Sequence, residues 1–331
     1  MKKKQTSIII AAGLIVLLAA LYAFVSWRQA QDSQEAQAAQ EAEQAYVTDL
    51  AQVTGITIEN GEDTLDFVLA DDTWQYAQDP DCPLRQSSLE NLAQTLSKLP
   101  ATRILAEPDS LASYGLETPS IRFIITTEDS TASLLIGDPV PSPDASSPDG
   151  GSEQYYACLS GGTQVYTIGP SLADTAGQDL YDFVQTESLP YMTGSDIRDI
   201  TVTKNGSSSH FVKKDLDDEG NIAWYRDSSQ SEENRLEDNG QLNNLADAVA
   251  GLSFSSCANY KAADDELESY GLKNPAMTIT WSAEGEDSQT LLIGSLDADG
   301  AYYYAKLSGS QAVNRISKSA GDRCLNAAYP Q

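Results

Sequence analysis

Histidine is almost absent from this chain. His210 is the only one in 331 residues, and four cysteines accompany it. Cys82, Cys158, Cys257 and Cys324 form no C-x-x-C and no cysteine–histidine cluster. That pattern argues against a linked zinc site and against a thioredoxin-like redox motif. Four cysteines allow three full pairings in an oxidising compartment, and spacing alone chooses none; buried free thiols are the simpler expectation. A serine–histidine–acid triad would have to be built on His210, and no G-x-S-x-G occurs. His210 sits in "SSSHFVKK", alternating with Phe211, which reads as an exposed strand position. "LSGGTQ" lacks the spacing and the lysine of a phosphate-binding loop. These gaps leave no cofactor, metal or catalytic set to assign.

Acid is also missing from one place. The first 28 residues hold Lys2, Lys3, Lys4 and Arg28 and no Asp or Glu. Between them runs "SIIIAAGLIVLLAALYAFVSW", from Ser7 to Trp27, without a charge. At about 1.5 Å per residue such a run crosses a hydrocarbon layer of about 30 Å. Tyr22 and Trp27 fall where interfacial aromatics are favoured, and the leading lysines keep the N-terminus cytoplasmic. A cleaved signal peptide is the competing reading, but its apolar region is normally shorter and a small-x-small site normally follows. The expectation is therefore residues 1–6 in the cytoplasm, 7–27 as a transmembrane signal anchor, and the rest extracytoplasmic. Past Arg28 the chain has 49 acids and the remaining 16 bases, a formal charge of −33. Such a surface repels nucleic acid and anionic lipid. It suits solubility outside the cell and leaves cations and basic partners as candidates.

Residues 28–48 are rich in Ala, Gln and Glu, favour helix, and have little to bury. They read as a helical stalk or linker. Beyond them the chain repeats itself. "ITIENGEDTLDF" from Ile56 aligns with "ITVTKNGSSSHF" from Ile200, each with the Asn-Gly of a hairpin. A tryptophan strand follows, "DDTWQYA" or "NIAWYRD". Next comes a helix with Leu89, Leu92, Leu96 and Leu99, or Leu242, Leu245, Val249 and Leu252, at helical spacing. Then come "IRFIITT" or "MTITWS", "LLIG" twice, and "YYACLSG" or "YYAKLSG". A strand with Val165 and Ile168, or Val313 and Ile316, closes each copy. Short gaps between strands imply antiparallel pairing. The expected fold is α+β: two tandem repeats, 49–190 and 191–331, each a mainly antiparallel sheet with helices packed on one face. The copies differ most where the first carries "DPVPSPDASSPDGGSEQ" and the second "SLDADGAY"; the longer one reads as a mobile excursion.

One phrase recurs almost unchanged, "SYGLETP" at Ser113 and "SYGLKNP" at Ser269. In "EPDSLASYGLETP", Pro108 suits the start of a short helix and Gly115 a left-handed cap. Leu111 and Leu116 then make the contact of a Schellman ending, with Tyr114 as the cap residue. Tyr270, Gly271 and Leu272, with Leu267, repeat the arrangement. Pro119 and Pro275 forbid continuation and lead into the next strand. The phrase reads as a helix-to-strand joint needed once per repeat; a duplicated ligand site is the alternative.

This order of motifs, from hairpin to "YYA-x-LSG", resembles the bacterial family called domain of unknown function 4340, in two copies. The resemblance implies N-terminally anchored proteins, with relatives beside ABC-type transport components and gliding-motility-like proteins. It supplies no catalytic residues. The leading expectation is thus a non-enzymatic binding or scaffold component whose partners are membrane or envelope proteins. A cation- or small-ligand-binding sensor and an acidic-residue envelope hydrolase are the alternatives. The calcium-loop likeness of "DLDDEGNIAWYR" is superficial. Asp215, Asp217, Glu219 and Gly220 fit, but Arg226 stands where a bidentate Glu belongs. A charged hairpin turn explains it. Asn205-Gly206-Ser207 is a formal sequon but also a turn.

Overall fold

The computed structural model describes residues 45–61, 63–141, 153–216, 221–227 and 231–329. The expected cytoplasmic N-terminus, the anchor at 7–27, the stalk up to residue 44 and most of the "DPVPSPDASSPDGGSEQ" excursion lie outside them. Among the described residues no helix is long and apolar enough to cross a membrane. Residues 45–48, at the end of the expected stalk, are not helical. Ala45 O accepts from Ala101 N, and Val47 N donates to Leu99 O, both at 2.8 Å, so this stretch pairs with other backbone instead.

Two eight-stranded antiparallel sheets make an α+β fold of tandem sheet units. The first contains β1 (Val53–Asn60), β2 (Asp63–Ala70), β3 (Thr73–Tyr76), β4 (Arg103–Ile104), β5 (Ile121–Thr127), β6 (Thr131–Pro139), β7 (Tyr155–Leu159) and β8 (Tyr166–Ile168). Its order is β3-β2-β1-β5-β6-β7-β8-β4. The second contains β9 (Ile197–Lys204), β10 (Ser207–Asp215), β11 (Ile222–Tyr225), β12 (Ser256–Asn259), β13 (Met277–Ala283), β14 (Gln289–Leu296), β15 (Tyr302–Leu307) and β16 (Val313–Ser317). Its order, β11-β10-β9-β13-β14-β15-β16-β12, is the same arrangement position by position. Among the described residues the α-helices are α1 (Gln86–Ser97), α2 (Ser171–Ala176), α3 (Leu180–Phe183), α4 (Gly240–Ala250) and α5 (Lys318–Leu325).

Local chemistry explains the elements. Asn205 and Gly206 both take positive φ, 53° and 78°, and turn β9 into β10 as a two-residue hairpin. Phe123 and Ile125 on β5, like Met277, Ile279 and Trp281 on β13, alternate inward with the strand period of two. Leu89, Leu92, Leu96 and Leu99 are all buried, as are Leu242, Leu245, Val249 and Leu252. In the second sheet, Leu291 shares a core with the α4 leucines, while its neighbour Leu292 packs with Leu272. Successive strand residues point to opposite faces, so α4 and the "SYGL" turn cover opposite faces of that sheet.

A side-chain amide ties each tryptophan strand to its helix. Gln86 Oε1 accepts from Trp74 N at 2.8 Å while its Nε2 donates to Trp74 O at 3.0 Å. Asn239 does the same for the second copy, accepting from Trp224 N at 3.0 Å and donating to Ile222 O at 3.0 Å.

The chain forms two compact units that do not follow the sheets strand for strand. One holds residues up to Thr64 with Ala93–Ala176; the other holds Leu65–Leu92 and Gly177 onward.

Candidate functional site

The "SYGL" phrases form two closely similar corners. Leu111–Tyr114 is a single 3-10 turn, shorter than a helix begun at Pro108 would be. Gly115 closes it at φ 67°, with Leu116 N donating to Leu111 O at 3.0 Å and Gly115 N to Ala112 O at 3.3 Å. In the second copy Gly271 lies at φ 68°, Leu272 N donates to Leu267 O at 2.9 Å, and Gly271 N to Glu268 O at 3.0 Å. These are the two hydrogen bonds of a Schellman ending. Leu116 and Leu272 are buried. The Tyr114 ring lies 4.7 Å from Tyr156, and the Tyr270 ring 4.9 Å from Tyr304. Pro119 and Pro275 each stand two residues before a strand, β5 and β13. The "LLIG" glycines complete the corner. A Cβ on Gly137 would sit 2.0 Å from Tyr114 O, and one on Gly294 would sit 2.2 Å from Tyr270 O. Only glycine lets the turn lie this close to the strand.

The other candidates are dispersed. His210, on β10, bonds Asp199 on β9 through Nε2 at 2.7 Å. Both side chains are about one-third exposed (37% and 36%). Asp215 pairs with Ile222 across the β10–β11 hairpin and bonds Arg198 at 3.3 Å, so its role there is that of a charged turn. Asp217, Glu219 and Gly220 lie outside the described residues. All four cysteines are reduced and buried. Burial pushes the Cys82, Cys257 and Cys324 thiols up to about 11, so they hold their protons at neutral pH.

Two buried polar arrangements in the second compact unit have no distinguishing sequence pattern. Lys213 is buried on β10, where it donates to Ser195 O at 2.6 Å and Gly194 O at 3.2 Å and lies 5.4 Å from the centre of the Trp224 ring. Burial, aided by Arg198, pulls its amine down to about 8 against the pull of Asp215, Asp196 and Asp247.

The second arrangement borders a cleft of about 370 Å³ whose walls include Pro83, Val184, Glu187, Cys257, Ala312 and Asn314. Every one of these residues belongs to the second compact unit. β16 places Asn314 opposite Cys257 of β12. The segment before α1 and the one after α3 reach this wall together, since Leu84 and Val184 form a bridge and Gln185 N donates to Pro83 O at 2.7 Å. Asp79 fastens the rim. Its Oδ2 accepts from the Tyr260 hydroxyl and from Lys261 Nζ, each at 3.0 Å. The Lys261 bond first, then the Tyr260 bond, holds the Asp79 carboxyl below its ordinary range, while burial and Asp79 raise the Tyr260 phenol. Asn314 is fully buried and donates Nδ2 to Glu187 Oε2 at 2.8 Å. Among the described residues two buried side-chain atoms lack any hydrogen-bond partner, Thr167 Oγ1 and Asn314 Oδ1. No group of three or more metal-ligating side chains occurs among the described residues.

A family model described as a domain of unknown function, DUF4340, matches residues 74–255 and 224–328. The two matches start at Trp74 and Trp224, the tryptophans of equivalent edge strands. The chain belongs to this family. No curated protein and no solved structure matches it.

Proposed function

We propose that this member of the DUF4340 family is a non-enzymatic binding or scaffold protein, held by one N-terminal span with both sheet units outside the cytoplasm. Its partners are membrane or envelope proteins, of which an ABC-type transporter or a gliding-motility-like complex is the kind this reading assigns. The observation that carries it is the asymmetry of the first 28 residues: a charge-free run from Ser7 to Trp27 behind three lysines, with every acid beyond it. Two copies of one fold, each with helices packed on one sheet face, would offer two related surfaces to an assembly. The residues most able to do chemistry are engaged in structure, His210 with Asp199 and Asp79 with Tyr260 and Lys261. A ligand-binding sensor is the second reading, favoured by the cleft with an unsatisfied acceptor at Asn314.

The test is topology followed by capture. Protease added to intact protoplasts should digest the chain beyond Trp27 while a short membrane-bound stub persists. Cross-linking before solubilisation should then recover membrane-complex subunits. A full-length chain protected until the cells are lysed, or a mature form lacking residues 1–28, would overturn the reading.

A further inference from the structure

The cleft beside Asn314 poses a specific question. Burying a carbonyl oxygen without a partner costs about 1–3 kcal/mol, so an orphan acceptor calls for something that donates to it. The amide cannot simply be turned over. A Glu187 carboxylate only accepts, so Nδ2 must face it and Oδ1 must face elsewhere. Glu187 in turn uses Oε2 for Asn314, and its Oε1 has no protein hydrogen bond among the described residues. The cleft is thus bordered by one orphan acceptor and one carboxylate. Pro83, Val184, Ala312 and the thiol of Cys257 give the cleft apolar wall, and Gln185, Thr186, Tyr260, Ser310 and Gln311 line the rest of it.

We propose that this cleft binds a primary ammonium group carried on a short alkyl chain. An ammonium brings three donors and the compensating charge, and methylenes suit the part of the wall formed by Pro83, Val184 and Ala312. An anion would meet the Glu187 carboxylate. A hard metal ion would find one carboxylate and one amide, short of the oxygen set such ions take. A single water, whose share of liquid volume is about 30 Å³, could satisfy Oδ1 but would leave most of the space unused. The acidic chain, at a formal −29, raises the local concentration of cations. The first repeat does not share the device. There β8 places Tyr166 opposite Ile104, where β16 places Asn314 opposite Cys257. The inference does not depend on the membrane reading above.

The experiment titrates the full-length protein in detergent with n-butylammonium, followed by calorimetry. Tetramethylammonium serves as a cation that has no N–H to donate. Saturable binding of butylammonium alone is expected. Glu187→Gln keeps an oxygen for Asn314 but removes the charge, and should weaken binding by about tenfold or more. Ala312→Leu, which touches no polar group, should weaken it by filling the cleft. N-acetyl-lysine methylamide separates the two sources of the group. Tighter binding than butylammonium assigns the cleft to a lysine side chain of a partner, and weaker binding assigns it to a free amine. Equal heats from butylammonium and tetramethylammonium, or heats unchanged in both variants, would overturn the proposal and leave a water-filled cleft in an acidic surface.

Discussion

Leu69 and Lys213 occupy the same place in the two repeats: one lies opposite Trp74 across a strand pair, the other opposite Trp224. The same holds for Tyr166 and Asn314, which face Ile104 and Cys257 on equivalent strands. The surroundings differ as well. Ile104 is 45% exposed, whereas Cys257 is 2% exposed. The copies keep the same eight-strand order and the same glycine corners, yet at these two positions the second repeat buries Lys213 and Asn314 where the first has the half-buried Leu69 and Tyr166. A packed core tolerates a buried amine or amide only when something bonds it. Such groups therefore mark where the second repeat does something the first does not.

The likeness breaks hardest at the glycine corners. Gly137→Ala and Gly294→Ala each place a Cβ about 2 Å from a backbone oxygen, Tyr114 O in one case and Tyr270 O in the other. Neither oxygen can rotate away, so each change should cost about 3 kcal/mol in its own repeat. The cap glycines should be less alike. At Gly271 the new Cβ meets Ser295 N at 2.7 Å, a backbone atom. At Gly115 it meets chiefly the Asp138 carboxylate at 2.6 Å, which is free to swing, with Asp138 N at 3.0 Å. Both also carry the strain of positive φ. Gly271→Ala should cost about 2 kcal/mol and Gly115→Ala about 1 kcal/mol. Calorimetric melts of the four variants check the ranking. Equal losses at Gly115 and Gly271 would mean that the strand after "LLIG" yields equally in both repeats.

A smaller effect sharpens the contrast between Leu69 and Lys213. A lysine whose folded pKa is about 8 and whose free value is 10.5 binds its proton more tightly when unfolded. Between those values the unfolded chain holds a proton that the folded chain has released, so this residue makes stability rise with pH. Below about 8 both states are charged and the slope vanishes. Lys213→Leu, which installs the residue of the first repeat, removes that rise. The thiols raised to about 11 push the other way, but they are common to both proteins and cancel. The stability difference, wild type minus variant, should therefore climb through this window in urea melts. A flat difference would show that Lys213 titrates as an exposed lysine does.

Much of the fold is legible because its signals are local. The Asn205-Gly206 hairpin and the leucine spacing of α1 and α4 involve residues a few positions apart. The candidate cleft is a different case. Asp79 meets Lys261 across 182 residues, and Asn314 meets Glu187 across 127. No spacing rule reaches that far, and neither an Asn in a strand nor a Glu in a linker stands out in a chain with 49 acids. Lys213 is hidden for another reason. In "HFVKK" it looks like any strand-end lysine, and only the carbonyls of Gly194 and Ser195 make a buried amine tenable there. The repeated tyrosine phrase was conspicuous in sequence, yet its tightest constraint lies in the "LLIG" glycine that faces it.

The smallest expected effect concerns the tyrosines of that phrase, and it separates a joint from a recognition surface. The Tyr114 hydroxyl accepts from Asp109 N at 3.0 Å on an exposed segment, and the Tyr270 hydroxyl accepts from Asn259 Nδ2 at a longer 3.5 Å. Both rings keep their aromatic neighbours, Tyr156 and Tyr304, when the hydroxyl is removed. Phe at either position should therefore cost under about 1 kcal/mol, the net worth of one neutral hydrogen bond. Tyr114→Phe should cost slightly more than Tyr270→Phe, because its bond is shorter and satisfies a backbone N–H. Neither variant should lose a membrane partner in cross-linking while its melt is unchanged. If one did, the phrase would be read by that partner, and the two corners would be alike because both are recognised.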